Sequence, residues 1–236
     1  MEKTPLILLP GTLCDEKLWF HQVLNLSDIA DVRVGDLTRD SSIYDMAMRV
    51  LNGAPKQFAL AGLSMGGLVA LEIVKQAPHR VSKLALLDTN PLPPSAEQIN
   101  NWKRFIDMAN EGHFIEITQK YLLPLLIQSN NQSNTELVET IYQMAENVGK
   151  EAMIKQMTAL QKKPDYTREL SNITCESLVI YGIKDKMVAP EIQKTLRDNI
   201  PNAHLKEIED AGHLCSLEQP QTVTETLRYW LNDQKN

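Results

Sequence analysis

The sequence predicts an α/β fold: about six parallel strands flanked by helices, with an all-helical insertion. Three observations predict it. Short apolar runs alternate with helix-like stretches through most of the chain, and this alternation builds a parallel sheet with helices on both faces. The runs are short and mostly apolar, as expected of strands buried on both faces. The alternation stops between Pro91 and Leu170, where helix-like pieces follow one another with no convincing strand.

Taken in order, the first strand is read over Leu6 to Leu9 and ends at Pro10-Gly11. A helix over Leu18 to Leu26 and a strand over Val32 to Val34 follow. Ile43 to Leu51 reads as a helix with Ser41 or Ser42 as N-cap. The third strand, Phe58 to Leu63, leads into a helix over Leu68 to Gln76 that must stop before Pro78. Leu84 to Leu87 is the fourth strand. Pro91-Leu92-Pro93-Pro94 marks the exit from the sheet, and Ala96 to Asn110, Phe114 to Ile127, Thr135 to Val148 and Lys150 to Lys162 read as helices. Strands over Leu178 to Tyr181 and His204 to Ile208 resume the alternation. Helices over Pro190 to Ile200, with proline at a favourable early position, and Thr222 to Leu231 complete it. Residues 1–90 and 171–236 are therefore expected to form the core. Residues 91–170 leave and re-enter at the edge where strands end, so they are expected to form a lid; a helical subdomain with no substrate role is the alternative.

Composition narrows the function. The chain has 236 residues and a formal net charge of −6, which argues against a nucleic-acid partner because phosphate binding needs clustered basic residues. Lys162-Lys163 is only a pair and reads as a solvated helix face. No stretch approaches the roughly 18 to 20 apolar residues that span a bilayer, and the apolar run after Met1 is too short for a signal peptide. Cys14, Cys175 and Cys215 are odd in number and far apart, so neither a disulfide framework nor a zinc site is expected. A reducing cytoplasm is the simplest home.

The most informative segment is Gly62-Leu63-Ser64-Met65-Gly66-Gly67, a G-x-S-x-G between a strand and a helix. Such a turn is too tight for side chains at its flanks. It exposes the serine above the sheet and aims the first N–H groups of the next helix at the same point. Close packing alone would also use small residues there, so a base, an acid and a second N–H donor are needed. Of five histidines, His79 falls on the opposite edge, His204 within a strand, His113 in the insertion and His21 in the first helix. His213 follows the last strand on the correct edge and is the expected base. Its acid is expected at Asp185, after the fifth strand; Asp88, after the fourth, is the competitor and Asp210 a weaker third. The order Ser64, Asp185, His213 suits a nucleophile, an orienting acid and a base. The N–H of Met65 and the N–H of Thr12, with Leu13 as the neighbouring alternative, are the expected oxyanion donors.

These stretches together resemble the α/β-hydrolases, in particular the small esterases and lactonases such as the 3-oxoadipate enol-lactonases and pimeloyl-carrier-protein methyl ester esterases. The resemblance rests on Leu6 to Thr12 with Trp19, on Gly62 to Gly67, on Tyr181 to Asp185 with Val188 and Pro190, and on Gly212-His213 with Glu218 and Pro220. It covers the core and not the lid. Three departures stand out. Pro10-Gly11 replaces the usual His-Gly, so that loop's bracing must come from elsewhere. The usual N-terminal antiparallel hairpin is absent. Thr38-Arg39-Asp40-Ser41 replaces the usual glycine-rich turn. The resemblance implies a serine hydrolase acting on a small carboxylic ester, thioester or lactone, with no metal or cofactor. The rivals are a lyase of the same fold that uses the triad as a base, as in menaquinone synthesis, and a catalytically silent binding protein. Among the lid residues Trp102, Phe105, Ile106, Phe114, Tyr121, Leu122, Leu125 and Leu126, most should pack the lid on itself and a few should face Ser64. Lys103 and Arg104 offer contact with an acidic acyl carrier protein or a carboxylate, with plain solvation the preferred reading. Cys14 and Cys215 are expected near the site, as packing residues first.

Overall fold

A computed structural model describes residues 3–232. Six strands form one sheet: β1 (Thr4–Leu9), β2 (Ala30–Val34), β3 (Phe58–Leu63), β4 (Val81–Leu87), β5 (Glu176–Gly182) and β6 (Ala203–Ile208). The order is β2-β1-β3-β4-β5-β6 and every pairing is parallel. The fold is the α/β architecture expected from the sequence. The order reverses direction between β1 and β3, and that reversal opens a crevice at the strand C-terminal ends where such sheets bind ligands. The register aligns those ends: Leu9 opposite Gly62, Leu63 opposite Leu87, and Leu87 opposite Ile180.

Side chains of each strand alternate between the two faces. Ile7, Leu9, Phe58 and Leu60 join one core with α2 (Ile43–Gly53) and α3 (Met65–Gln76). Leu6, Leu8, Ala59, Ala61 and Leu63 join the other, which the helix Pro220–Asn232 covers. The strands run a few residues beyond their apolar centres because the backbone ladder does not require apolar side chains. Ser42, not Ser41, caps α2, accepting the N–H of Asp45 at 3.1 Å.

Two expected helices differ. The segment from Leu18 begins as a 3-10 turn, Glu16–Trp19, before α1 (Phe20–Leu26), because the Asp15 carboxylate takes the Lys17 N–H and starts a tighter turn. The stretch from Phe114 to Ile127 is not one helix. It breaks into Phe114–Glu116, a wide π turn over Ile117–Leu122, and Leu123–Leu126. Pro124 has no N–H and blocks a continuous α ladder through this region. Between β4 and β5 also lie α4 (Ala96–Asn110) and the long helix Thr135–Gln161, which is interrupted at Gly149 (φ 79°, ψ 167°) where the sequence separates two helices. These pieces share a small core of their own around Phe105, Ile117, Met153 and Met157.

Candidate active site

Ser64 stands between the end of β3 and the first residue of α3 at φ 55°, ψ −116°, a strained conformation for a residue with a Cβ. Hydrogen bonds clamp it there. Its N–H donates to Leu87 O at 2.8 Å, and its own carbonyl accepts from Gly67 N at 3.0 Å and Leu68 N at 3.2 Å. The hydroxyl faces a cavity lined by Gly11, Thr12, Met65, Asp88 and His213, among others.

The structure brings His213 and Asp185 together: Nδ1 of His213 lies 2.9 Å from Oδ2 of Asp185, with both side chains almost wholly buried. The other carboxylate oxygen of Asp185 accepts from Met187 N at 2.7 Å and Val188 N at 3.2 Å, which fixes its direction. The carboxylate keeps the proton on Nδ1 and leaves Nε2 free to accept one. Burial works against the charged imidazolium, but the Asp185 charge and hydrogen bond, with Asp88 and Glu218 behind them, outweigh it. His213 therefore titrates above the ordinary histidine range.

Asp88, the competing acid, is oriented elsewhere. Its carboxyl accepts the Gly182 N–H at 2.9 Å, and burial, reinforced by the Asp185 charge, pushes it well above the usual carboxylate range. Asp210 is an exposed residue whose carbonyl receives the Gln128 and Gln219 side chains. Of the other histidines, His79 is exposed before β4 and His204 exposed on β6. His113 bonds Glu116 and His21 bonds Thr224. None of the four lines the cavity.

The first turn of α3 leaves the Met65 N–H without an intrahelical acceptor. In the loop after β1, Leu13 N–H is taken by Oε1 of Gln156 at 3.0 Å. The Leu13 N–H is therefore already engaged. Cys14 also lines the cavity, and burial pushes its thiol up to about 12. Burial raises Cys215 as well, so both thiols stay protonated and pack as small apolar groups. Of the apolar residues between β4 and β5 that the sequence marks as candidates, Trp102, Leu122 and Leu126 line the cavity. Phe105, Ile106 and Phe114 pack into the small core that the helices between β4 and β5 share with Leu13, while Tyr121 and Leu125 are exposed. Arg104 stacks over Phe105 and Tyr121.

The model of the alpha/beta hydrolase fold family matches residues 43–220, most of the chain. The chain belongs to the α/β-hydrolase family. It is 28% identical over 176 residues to RutD of Klebsiella pneumoniae, provisionally named a carbamate hydrolase, covering 73% of this chain and 65% of that one. It thus spans just under two thirds of that relative. The pimeloyl-[acyl-carrier protein] methyl ester esterase of Pectobacterium atrosepticum is 24% identical over 235 residues, 94% of this chain and 92% of the esterase. A thermophilic esterase from Thermogutta terrifontis, solved with malate bound, superposes with a TM-score of 0.88 at 28% identity, covering 97% of this chain and 89% of the esterase. The expected likeness to small esterases is therefore found. Among the described residues no helix is long and apolar enough to cross a membrane.

Two departures from the α/β-hydrolase pattern meet in a residue the sequence analysis did not single out. Gln156, fully buried on the helix Thr135–Gln161, accepts from Leu13 N with its oxygen and donates from Nε2 to Leu37 O at 3.2 Å. It braces the Pro10-Gly11 loop and anchors the altered turn after Leu37 in one bridge. The sequence signal was a glutamine within the apolar stripe of Ala152, Met153, Met157 and Leu160. Gln156→Leu keeps the volume but strands the Leu13 N–H and the Leu37 carbonyl. Unsatisfied buried groups cost about 1–3 kcal/mol each, so thermal unfolding should shift down measurably. kcat on a simple ester should fall about tenfold or more as the loop loosens.

Glu218 plays a similar part for the histidine loop. It is buried and accepts from Gly212 N at 2.6 Å, Gln128 N at 2.8 Å and Asn131 Nδ2 at 2.9 Å, tying the loop before His213 to the segment between β4 and the helix Thr135–Gln161. Lys163, read from the sequence as solvated, is buried. The helix ends at Gln161 and the chain turns inward, so Lys162 stays exposed while the Lys163 side chain enters the cavity wall.

Proposed function

We propose that the chain is a serine hydrolase that cleaves a small carboxylic ester, thioester or lactone through an acyl-enzyme. Oγ of Ser64 attacks the carbonyl carbon as Nε2 of His213 takes its proton, and Asp185 stabilises the imidazolium that forms. The N–H groups of Thr12 and Met65 receive the tetrahedral oxyanion, each worth roughly 3 kcal/mol in the transition state. His213 then protonates the leaving oxygen or sulfur, and the bond to the acyl carbon breaks. A water, deprotonated by the same Nε2, attacks the acyl-enzyme and frees Ser64. The segment 91–170 acts as a lid: Trp102, Leu122 and Leu126 give it an apolar face on the acyl or alcohol group.

The observation that carries this reading is the buried 2.9 Å His213–Asp185 pair on the cavity that Ser64 faces. The test is hydrolysis of p-nitrophenyl esters of increasing chain length, with Ser64→Ala in parallel. Turnover that vanishes in the variant supports the esterase. A folded protein with no turnover at any length would move the reading to proton-transfer chemistry on the same triad.

The pH profile follows from the same pair. Neutral His213 is the working base, and its carboxylate neighbour holds it above the ordinary value of about 6.5. Activity should therefore fall as pH drops through a value above about 6.5. Asp185→Asn removes the largest raising charge and leaves burial opposed only by Asp88 and Glu218, so the acid limb should move to lower pH. The plateau rate should fall by about 10⁴-fold. An unmoved limb in that variant would mean that His213 does not set it.

A further inference from the structure

Lys163 lies two residues past the end of the helix Thr135–Gln161 and lines the same cavity as Ser64 and His213. It is only 6% exposed. An ammonium has three N–H donors. One goes to Asn90 O at 2.9 Å and one to Leu92 O; among the described residues the third has no partner. Both partners are neutral carbonyls. Asp165 acts on the ammonium through its charge but makes no ion pair with it; its Oδ1 accepts from Thr167, at 2.9 Å from the backbone N and 2.6 Å from Oγ1. The acids at the reacting end do not serve either. Asp88 accepts from Gly182 N and Asp185 is committed to His213, and neither makes an ion pair with Lys163. A buried cation thus lines the cavity with no ion pair among the described residues, the Asp165 charge acting on it only from beyond contact.

A tie between the two lid ends does not explain this. Asn90 and Leu92 lead into the lid and Lys163 leads out, so the two hydrogen bonds do close its base. A neutral donor could make the same closure, and burying an ammonium is far more costly than burying an amide. Burial lowers the Lys163 pKa to about 8, which still leaves it mainly protonated at neutral pH. The amides of Asn90 and Gln98 also line the cavity, while Leu68, Trp102, Leu122 and Leu160 make much of the remaining wall apolar.

We propose that Lys163 binds a free carboxylate of the substrate, so that the preferred substrates are half-esters: a reacting ester joined through a short apolar spacer to a second, ionised carboxyl group. The proposal rests on the reading of Ser64 as the nucleophile of an ester hydrolase. It deepens that reading by naming the substrate class.

The experiment compares monomethyl esters of linear dicarboxylic acids with the same esters carrying a neutral terminal carboxamide. A parallel pair places the carboxylate or carboxamide in the alcohol portion. The readout is the ratio of kcat/KM for carboxylate over carboxamide, in the parent, Lys163→Met and Lys163→Gln. A ratio cancels any general loss of folding or rate. In at least one of the two series the parent should favour the carboxylate by about 10- to 100-fold, the range of a hydrogen bond to a charged group, and both variants should lose that preference. A parent with no preference in either series, or variants that keep it, overturns the proposal. Calorimetric binding of the same pairs to Ser64→Ala, with and without Lys163→Gln, decides where turnover is too slow. Selective half-ester binding that needs Lys163, with no turnover of any ester by the parent, would retain the site and remove the hydrolase reading. Turnover of neutral and anionic esters alike would retain the hydrolase and remove the site.

Discussion

Ser64→Ala should fold like the parent and lose about a millionfold in kcat on p-nitrophenyl esters, whereas Ser64→Gly should be equally inactive but more stable. The loss follows from the role proposed for Oγ: without it no acyl-enzyme would form, and the proposed oxyanion donors would act on a reaction with no positioned nucleophile. The stability difference follows from the backbone. Ser64 is held at φ 55°, ψ −116° by bonds from its N–H to Leu87 and from Gly67 and Leu68 to its carbonyl. A residue with a Cβ is strained there by about 1–3 kcal/mol, and alanine inherits that strain. Glycine relieves it, at a cost of up to about 1 kcal/mol in unfolded-chain freedom. The net expectation is a gain of about 1 kcal/mol, or about 2–4 °C in Tm for a chain of this size. Thermal unfolding of the three proteins checks it. Glycine no more stable than alanine would mean that the elbow stores no strain, and an active alanine variant would remove Ser64 as nucleophile.

The strain has a pattern. Leu13, Ser64, Asp88 and Asp210 are the described non-glycine residues with positive φ, and they follow β1, β3, β4 and β6 on one edge of the sheet. Backbone strain tends to gather where function requires it. Two of the four, Ser64 and Asp88, line the cavity.

That edge was legible in the sequence because strands buried on both faces announce themselves as apolar runs. Topology then assigns every residue that follows a strand to the same side. Ser64, Asp185 and His213 could be named without knowing any distance. The choice between Asp185 and Asp88 could be ranked but not closed, because both follow strands. Only the hydrogen bonds show His213 turned to Asp185, and Asp88 turned to the Gly182 N–H. The braces were not legible. Gln156 reaches Leu13, 143 residues away, and no local pattern encodes such a contact. Lys163 was misread because a lysine pair after a helical stretch suggests solvent, and the turn that buries it begins only after Gln161. The lid segment Phe114 to Ile127 was misread because apolar periodicity outweighed one proline.

Gly66→Ala should be among the most damaging single-methyl changes in the core and should strike stability and rate together. A Cβ at Gly66 would overlap the carbonyl oxygen of Leu9 and stand 2.6 Å from Leu9 C and 2.7 Å from Pro10 O. These are backbone atoms at the end of β1, locked in register with β3, so they cannot rotate aside as a side chain would. Relief must come from moving the elbow away from the Pro10-Gly11 loop. That is the separation between Ser64 and the Thr12 N–H. Overpacking against such a wall costs about 3 kcal/mol, or about 6–12 °C in Tm. A displacement of an ångström between nucleophile and oxyanion donor costs about a hundredfold in kcat. Gly53→Ala is the internal control. A Cβ there meets nothing within 4 Å, so it should be neutral or stabilising by up to about 1 kcal/mol. If Gly66→Ala matched Gly53→Ala in both Tm and kcat, the contact between elbow and loop would not be what holds the two halves of the oxyanion site together.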